Sequence, residues 1–251
     1  MVLYFTGTGN SKYAANIIAQ YLDDKLVSLN EVIKNNKQKV FNSEKPFVIV
    51  SPIYAWRLPH VIEKFLKEAE FNGNKNIYFV ATMGKNTGNA NEYCRKICIK
   101  KGINYMGFRG VVMPDNYLIM SDIKDRKTID KVIEMAEPKF YEIGKRIRSG
   151  EKLEKNDFTV MPTLSSSLIN TCFYSLFVNS RKFYITDNCV SCGKCAKVCP
   201  VNNITLKAGV PNFSDNCIHC MACIQHCPKR AIEVKGKTEK RGRYLCPKVE
   251  M

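Results

Sequence analysis

The sequence predicts an α/β protein built on a doubly wound parallel sheet of five strands, followed by a smaller α+β module with a different chemistry. Three observations carry this expectation. Short β-rich apolar runs alternate with helical patterns over residues 1–150, and a Gly/Thr turn closes the first of those runs. Nine of the twelve cysteines then crowd between Cys189 and Cys246, so the C-terminal quarter stands apart from the rest.

Strands are expected at Val2–Phe5, Leu26–Leu29, Phe47–Ser51, Ile77–Thr82 and around Val111–Met113. Five such runs joined by crossover helices imply a parallel sheet. The first helix should run from about Ser11 to Leu22, because Ala14, Ile17, Ile18 and Tyr21 recur at helical spacing. A last helix from Ile129 to Arg148 follows from the stripe Ile129, Val132, Ile133, Ala136, Phe140, Ile143 and Ile147. Gly150 offers it a stop, and Pro138 should kink it. The alternation ends there, which divides the chain into a domain at 1–150, a linker or helix at 151–181, a cysteine module at 182–235 and a basic tail at 236–251.

Apolar content of 45% and charged content of 25% are those of a soluble globular protein with a packed core. Met1 leads straight into the first strand without a basic start or an apolar targeting segment, so residence in a reducing cytoplasm is expected. Phe158 to Ser180 carries no charge and is long enough to span a bilayer. Pro162, the serines at 165–167, Asn170, Thr171 and Asn179 break it up, and a spanning helix needs ~20 predominantly apolar residues. An interdomain helix docked on protein is the expectation, with no transmembrane segment.

The formal charge is +16, with 24 basic against 15 acidic groups in residues 1–150 and 15 against 8 in the remainder. An excess spread over both parts does not localise nucleic-acid binding, which is not expected. Attraction of an acidic protein partner is.

Two runs share one cysteine pattern, Cys189-x2-Cys192-x2-Cys195-x3-Cys199-Pro200 and Cys217-x2-Cys220-x2-Cys223-x3-Cys227-Pro228. A zinc module pairs two C-x2-C elements and asks for neither the third step nor the trailing proline. The runs resemble the two-cluster bacterial ferredoxins over about Lys182 to Val234, which implies two 4Fe-4S clusters. In that pattern three cysteines wrap one cluster while the fourth reaches the other. Cys189, Cys192, Cys195 and Cys227 would hold one cluster, and Cys217, Cys220, Cys223 and Cys199 the second. Cys94 and Cys98, at i and i+4 on an expected helix, read as core or partly exposed thiols, and spacing identifies no partner for Cys172 or Cys246.

After the first strand stands Thr6-Gly7-Thr8-Gly9-Asn10-Ser11, followed by a helix. Glycine-exposed backbone N–H groups, three hydroxyls and a helix N-terminus suit a phosphate, and the lysine of a P-loop is absent. The loop resembles that of flavodoxins, Thr/Ser-x-Thr-Gly-x-Thr/Ser, in Thr6, Thr8, Gly9 and Ser11 with Asn10 between, and the likeness covers about residues 1–148. It implies a flavodoxin-like sheet binding FMN where the strand order reverses, so the loops after strands one, three and four should converge. These are Pro52, Ile53, Tyr54, Ala55 and Trp56, with aromatics suited to the flavin ring, and Thr82, Met83, Gly84 and Gly88, suited to its pyrimidine edge. Ala55 departs from the family, which often places a glycine there.

The whole chain thus resembles the flavodoxin–ferredoxin fusion proteins of anaerobic bacteria. That resemblance implies electron transfer between clusters, FMN and a redox protein. Two other readings stay open: an FMN-dependent reductase of a quinone or an activated alkene, and a redox-sensing module using the basic stretch Lys235 to Arg243. His60, His219 and His226 are too few and scattered to nominate a hydrolytic triad.

Overall fold

The computed structural model describes residues 1–37, 39–154 and 163–250, with the backbone alone for 163–169. Eleven strands and eight helices occur among the described residues. Five strands form the main sheet: β1 (Val2–Tyr4), β2 (Leu26–Ser28), β4 (Phe47–Pro52), β6 (Asn76–Met83) and β7 (Asn104–Val112). All neighbours are parallel, in the order β2-β1-β4-β6-β7. Parallel strands need crossovers, which here include α1 (Asn10–Leu22), α2 (Leu29–Lys34), α3 (His60–Glu68) and α4 (Ala90–Lys101), and α5 (Arg126–Arg148) follows the last sheet strand. Phe47, Val48, Ile49 and Val50 are fully buried because helices cover both faces of the sheet. Each such side chain contributes roughly 1.5–3 kcal/mol by leaving water. Val48 and Val50 pack towards α1 and α5, Phe47 and Ile49 towards the opposite layer.

The last sheet strand begins at Asn104, well before the expected Val111. Gly107, at φ 108°, interrupts the apolar pattern there, and a side chain at that position would overlap the Leu153 backbone. Leu153 instead runs beside Gly107 as a parallel bridge. A small parallel ladder of β3 (Val40–Ser43) and β5 (Glu70–Gly73) has no counterpart in the sequence expectation, being too short to show a period. Asp125 caps α5, its carboxylate accepting from Thr128 N at 2.9 Å, and the helix continues through Pro138 to Arg148. Cys94 and Cys98 lie in the core on α4, where burial pushes the Cys98 thiol up to about 12.

α6 (Thr163–Phe177) is the interdomain helix expected within 158–180, and residues 158–162 lie outside the described residues. Among the described residues no helix is long and apolar enough to cross a membrane. The cysteine module follows. It contains two antiparallel pairs, β8 (Phe183–Ile185) with β11 (Ile232–Val234) and β9 (Ile204–Lys207) with β10 (Val210–Phe213), and the short helices α7 (Lys194–Val198) and α8 (Ala222–His226). Its core also takes in Leu118 from the loop after β7.

Over its described residues, 236–250, the basic tail is an anchored strap. Tyr244 and Cys246 are buried, and Arg243 forms an ion pair with Glu233 in which both side chains are more than nine-tenths buried. Lys235, Lys237 and Lys240 remain exposed, while Arg241 donates to the Leu118 carbonyl. Charged residues alternating with Tyr244 and Cys246 hid an anchored strap inside a basic composition.

Candidate functional site

The strand order reverses between β1 and β4, so the loops leaving their C-terminal ends diverge and open a crevice, the usual ligand position in such sheets. The loop 6–11 at that point is held by its own side chains. Thr6 Oγ1 accepts from Gly9 N at 3.0 Å, and the Ser11 and Thr82 hydroxyls bond at 2.8 Å, tying the first loop to the end of β6. Gly9 takes φ 102° to start α1, whose first N–H groups lack intrahelical acceptors. Two asparagines not singled out from sequence brace the loop. Asn30 bonds both the N–H and the carbonyl of Thr6, and Asn116 donates to Thr8 Oγ1.

Loop 6–11 is also the meeting point of the two parts of the chain. A Cβ at Gly7 would overlap the Cys220 carbonyl oxygen and lie 3.2 Å from Tyr54 Oη. The strap closes from another side: Cys246 N donates to Thr8 O at 2.8 Å, and Tyr244 Oη donates to Asn10 Oδ1 at 2.5 Å. Gln225, buried on α8 between Cys223 and Cys227, accepts from Tyr244 N at 2.7 Å and donates to Asn116 O at 3.1 Å. One amide therefore ties the cysteine module, the strap and the loop after β7 together. A single glutamine carries no sequence pattern that would have announced it.

The loop after β4 makes a tight turn. Tyr54 N donates to Arg57 O at 2.9 Å and Arg57 N to Tyr54 O at 3.2 Å, with Ala55 at φ 46° and Trp56 at φ 66° between them. Two consecutive left-handed residues without glycine cost about 1–2 kcal/mol each. Neighbours hold the turn. Arg57 Nε donates to Glu63 Oε1 at 2.8 Å, the guanidinium lies 3.6 Å from the Tyr93 ring centroid, and a Cβ at Gly88 would overlap Trp56. Pro52, Ile53, Tyr54, Ala55 and Trp56 are all half-buried, so Trp56 is not a core residue. Thr82, Met83 and Gly88 are buried and Gly84 is exposed beside Asp115. The structure thus brings loops 6–11 and 52–57 and the end of β6 together, as their place in the sheet requires. Burial pushes the Tyr54 hydroxyl well above the usual phenol range.

In the cysteine module the two runs repeat their backbone at a spacing of 28 residues. Ser191 and His219 are left-handed, as are Gly193 and Met221, and Asn202 and Arg230. Asn203 N donates to Cys199 Sγ and Ala231 N to Cys227 Sγ, both at 3.2 Å. Each fourth cysteine follows its short helix in an extended conformation, which turns it away from its own run. Two small cavities result. Cys189, Cys192, Cys195 and Cys227 line one, and Cys199, Cys217, Cys220 and Cys223 line the other. Among the described residues no three His, Cys, Asp or Glu side chains are grouped to hold a single metal ion. Thiol donors around each cavity suit an iron–sulfur cube. Burial raises the Cys217 thiol to about 11 and Cys220 and Cys223 in the same direction, so without metal these thiols are protonated at neutral pH.

The cavities differ in position. The Cys220 cavity abuts loop 6–11 through Gly7, whereas the other has the exposed Cys192 in its wall. His219, beside the first of these, is a packing residue. Its Nε2 donates to Asn179 O at 2.6 Å, its Nδ1 accepts from Tyr117 Oη at 3.1 Å, and burial lowers its pKa, keeping it neutral. His226 donates from Nδ1 to Ala222 O within α8.

A polar donor set at a crevice and two cysteine-lined cavities agree with what known proteins indicate. The family described as "4Fe-4S dicluster domain" matches residues 181–228, and the family described as "Flavodoxin domain" matches residues 1–141. Among similar solved structures, a protein of Bacteroides uniformis described as a flavoprotein shares 19% identity, with a TM-score of 0.37, over 53% of this chain and 96% of its own. A flavodoxin from the domain Archaea shares 15% identity, with a TM-score of 0.36, over 59% of this chain and 97% of its own. An NAD(P)H:quinone oxidoreductase from Methanothermobacter marburgensis shares 8%, with a TM-score of 0.36, over 58% and 94%. No curated protein matches the chain. The flavodoxin match covers more than half of the 251 residues, and the chain belongs to that family: it is an electron-transfer flavo-iron–sulfur protein, a flavodoxin domain fused to a 4Fe-4S dicluster domain.

Proposed function

We propose that the chain relays single electrons from an external protein through two 4Fe-4S clusters to FMN. The observation that supports this is the close approach of the Cys220 carbonyl to Gly7, which sets the second cysteine run against loop 6–11. The order follows from position. Electrons enter at the cluster of Cys189, Cys192, Cys195 and Cys227, where Cys192 is exposed, and pass to that of Cys199, Cys217, Cys220 and Cys223 before reaching the flavin. Clusters carry one electron each and a flavin one or two, so the fusion also suits a two-electron reduction of a small molecule at the flavin.

The cofactor assignment rests on the donor set: Thr6, Thr8 and Ser11 hydroxyls, glycine backbone and the N-terminus of α1 suit a terminal phosphate, which FMN has and FAD lacks. Protein purified anaerobically should release FMN and contain about eight iron atoms per chain. Stoichiometric FAD, or about one metal atom per quartet, would overturn the assignment.

The partner is an acidic one-electron carrier. Its docking face is the open groove of Arg181, Lys182 and Lys235 around Phe183 and Tyr184, beside β8 and β11, which Glu239 of the strap also lines. β11 also borders the outer cluster cavity through Ile232. Neutralising Arg181, Lys182 and Lys235 together should slow association severalfold at low ionic strength and little at high salt. Stopped-flow rates that do not respond to salt or to these substitutions would remove the groove from the encounter.

A further inference from the structure

Asn170 lies on α6, outside the residues matched by the flavodoxin family, and is fully buried. Its Nδ2 donates to the Ala55 carbonyl at 2.7 Å, and its Oδ1 accepts from His60 Nε2 at 2.7 Å. The His60 ring in turn stacks on Tyr174, one helical turn further along α6, with centroids 3.7 Å apart. The amide therefore joins the Ala55 carbonyl of the Tyr54–Arg57 turn to His60 at the start of α3. That turn holds Ala55 and Trp56 in the left-handed region, which neither residue favours.

We propose that Asn170 is a positioning residue of the flavin site, by which the helix between the two domains holds the Ala55–Trp56 turn in the conformation that receives the flavin ring. The inference rests on the reading that this turn faces the flavin. Its basis is the pairing of an unfavourable backbone with a buried donor aimed at the carbonyl between its two left-handed residues. Relaxation of either residue to negative φ rotates that peptide and breaks the bond to Asn170. The amide opposes this because a buried Nδ2–H left without an acceptor is costly. Gly88 closes the other side, where it leaves room for Trp56 and no more. The flavin site then extends beyond the flavodoxin domain into the connector, and docking of α6 is coupled to flavin binding.

The substitution that isolates this role is Asn170→Asp. It keeps the shape and the acceptor for His60 but removes the donor to Ala55. In the full chain, stripped of flavin and titrated anaerobically with FMN, Asn170→Asp should weaken binding about tenfold, equivalent to ~1.4 kcal/mol. Ala55→Gly makes the left-handed conformation intrinsically accessible, so the Ala55→Gly/Asn170→Asp double variant should bind within about threefold of Ala55→Gly alone. Unchanged affinity in Asn170→Asp would overturn the proposal. An equal loss in both backgrounds would also overturn it, because Asn170 would then act only by anchoring the helix. Trp56→Leu separates this from the reading beneath it: wild-type FMN affinity in that variant would mean that the turn does not face the flavin at all.

Discussion

Replacing Cys199 with alanine should abolish the signal of the cluster assigned to Cys217, Cys220 and Cys223 and leave the cluster of the run to which Cys199 itself belongs. The expectation runs against sequence proximity. Cys199 is four residues from Cys195, yet its sulfur lines the cavity of the second run while Cys195 lines the other. The short helix α7 presents Cys195 to one side, and the extended residue that follows it carries Cys199 away. Cys227 repeats this geometry after α8. A cube held by three thiolates and an open corner loses iron readily, so iron should fall by about half or to a three-iron form, with two distinguishable sets of paramagnetic signals reduced to one. Selective loss of the signal that Cys192→Ala also removes would show that each run closes its own cluster.

The parts of this molecule that were legible in its sequence are those with a local period or a fixed spacing. The Val/Ile-rich runs of the first four sheet strands, the stripe of α5 and the repeated cysteine spacing all state their structure within a few residues. The Gly/Thr loop was legible because its place at the first βα turn gives its hydroxyls and N–H groups a direction. The start of β7 was not, since Asn104 to Gly110 alternates small, polar and aromatic residues to suit Leu153 at Gly107. Nor were the amides that brace the loops of the site and tie it to the rest of the chain. Asn30, Asn116, Asn170 and Gln225 each make bonds to chain far away in sequence, and an isolated amide looks the same whether it braces a backbone or meets water. The anchoring of the strap was hidden for a related reason. Its lysines and arginines set the composition, but Tyr244 and Cys246 set its position, through Asn10 and Thr8.

The central claim is that electrons reach the flavin through the clusters, because the Cys220 cavity lies against loop 6–11 and the exposed Cys192 belongs to the outer one. Covalent fusion turns the second transfer into an intramolecular event with a high effective concentration, so the clusters should outpace any direct collision with the flavin. A full-length variant with Cys192 and Cys220 both changed to alanine should lose both normal clusters and keep FMN, since the phosphate-loop side chains and the sheet core belong to the N-terminal domain. A small chemical reductant should still reduce that flavin. The decisive measurement is the rate at which a reduced ferredoxin-type donor reduces FMN in this variant, compared with wild type under the same anaerobic conditions. The account predicts a fall of at least about a hundredfold, on the order of 2.7 kcal/mol in the barrier. An unchanged rate in the folded, FMN-loaded, cluster-free protein would mean that electrons enter at the flavin and that the clusters are not the route to it.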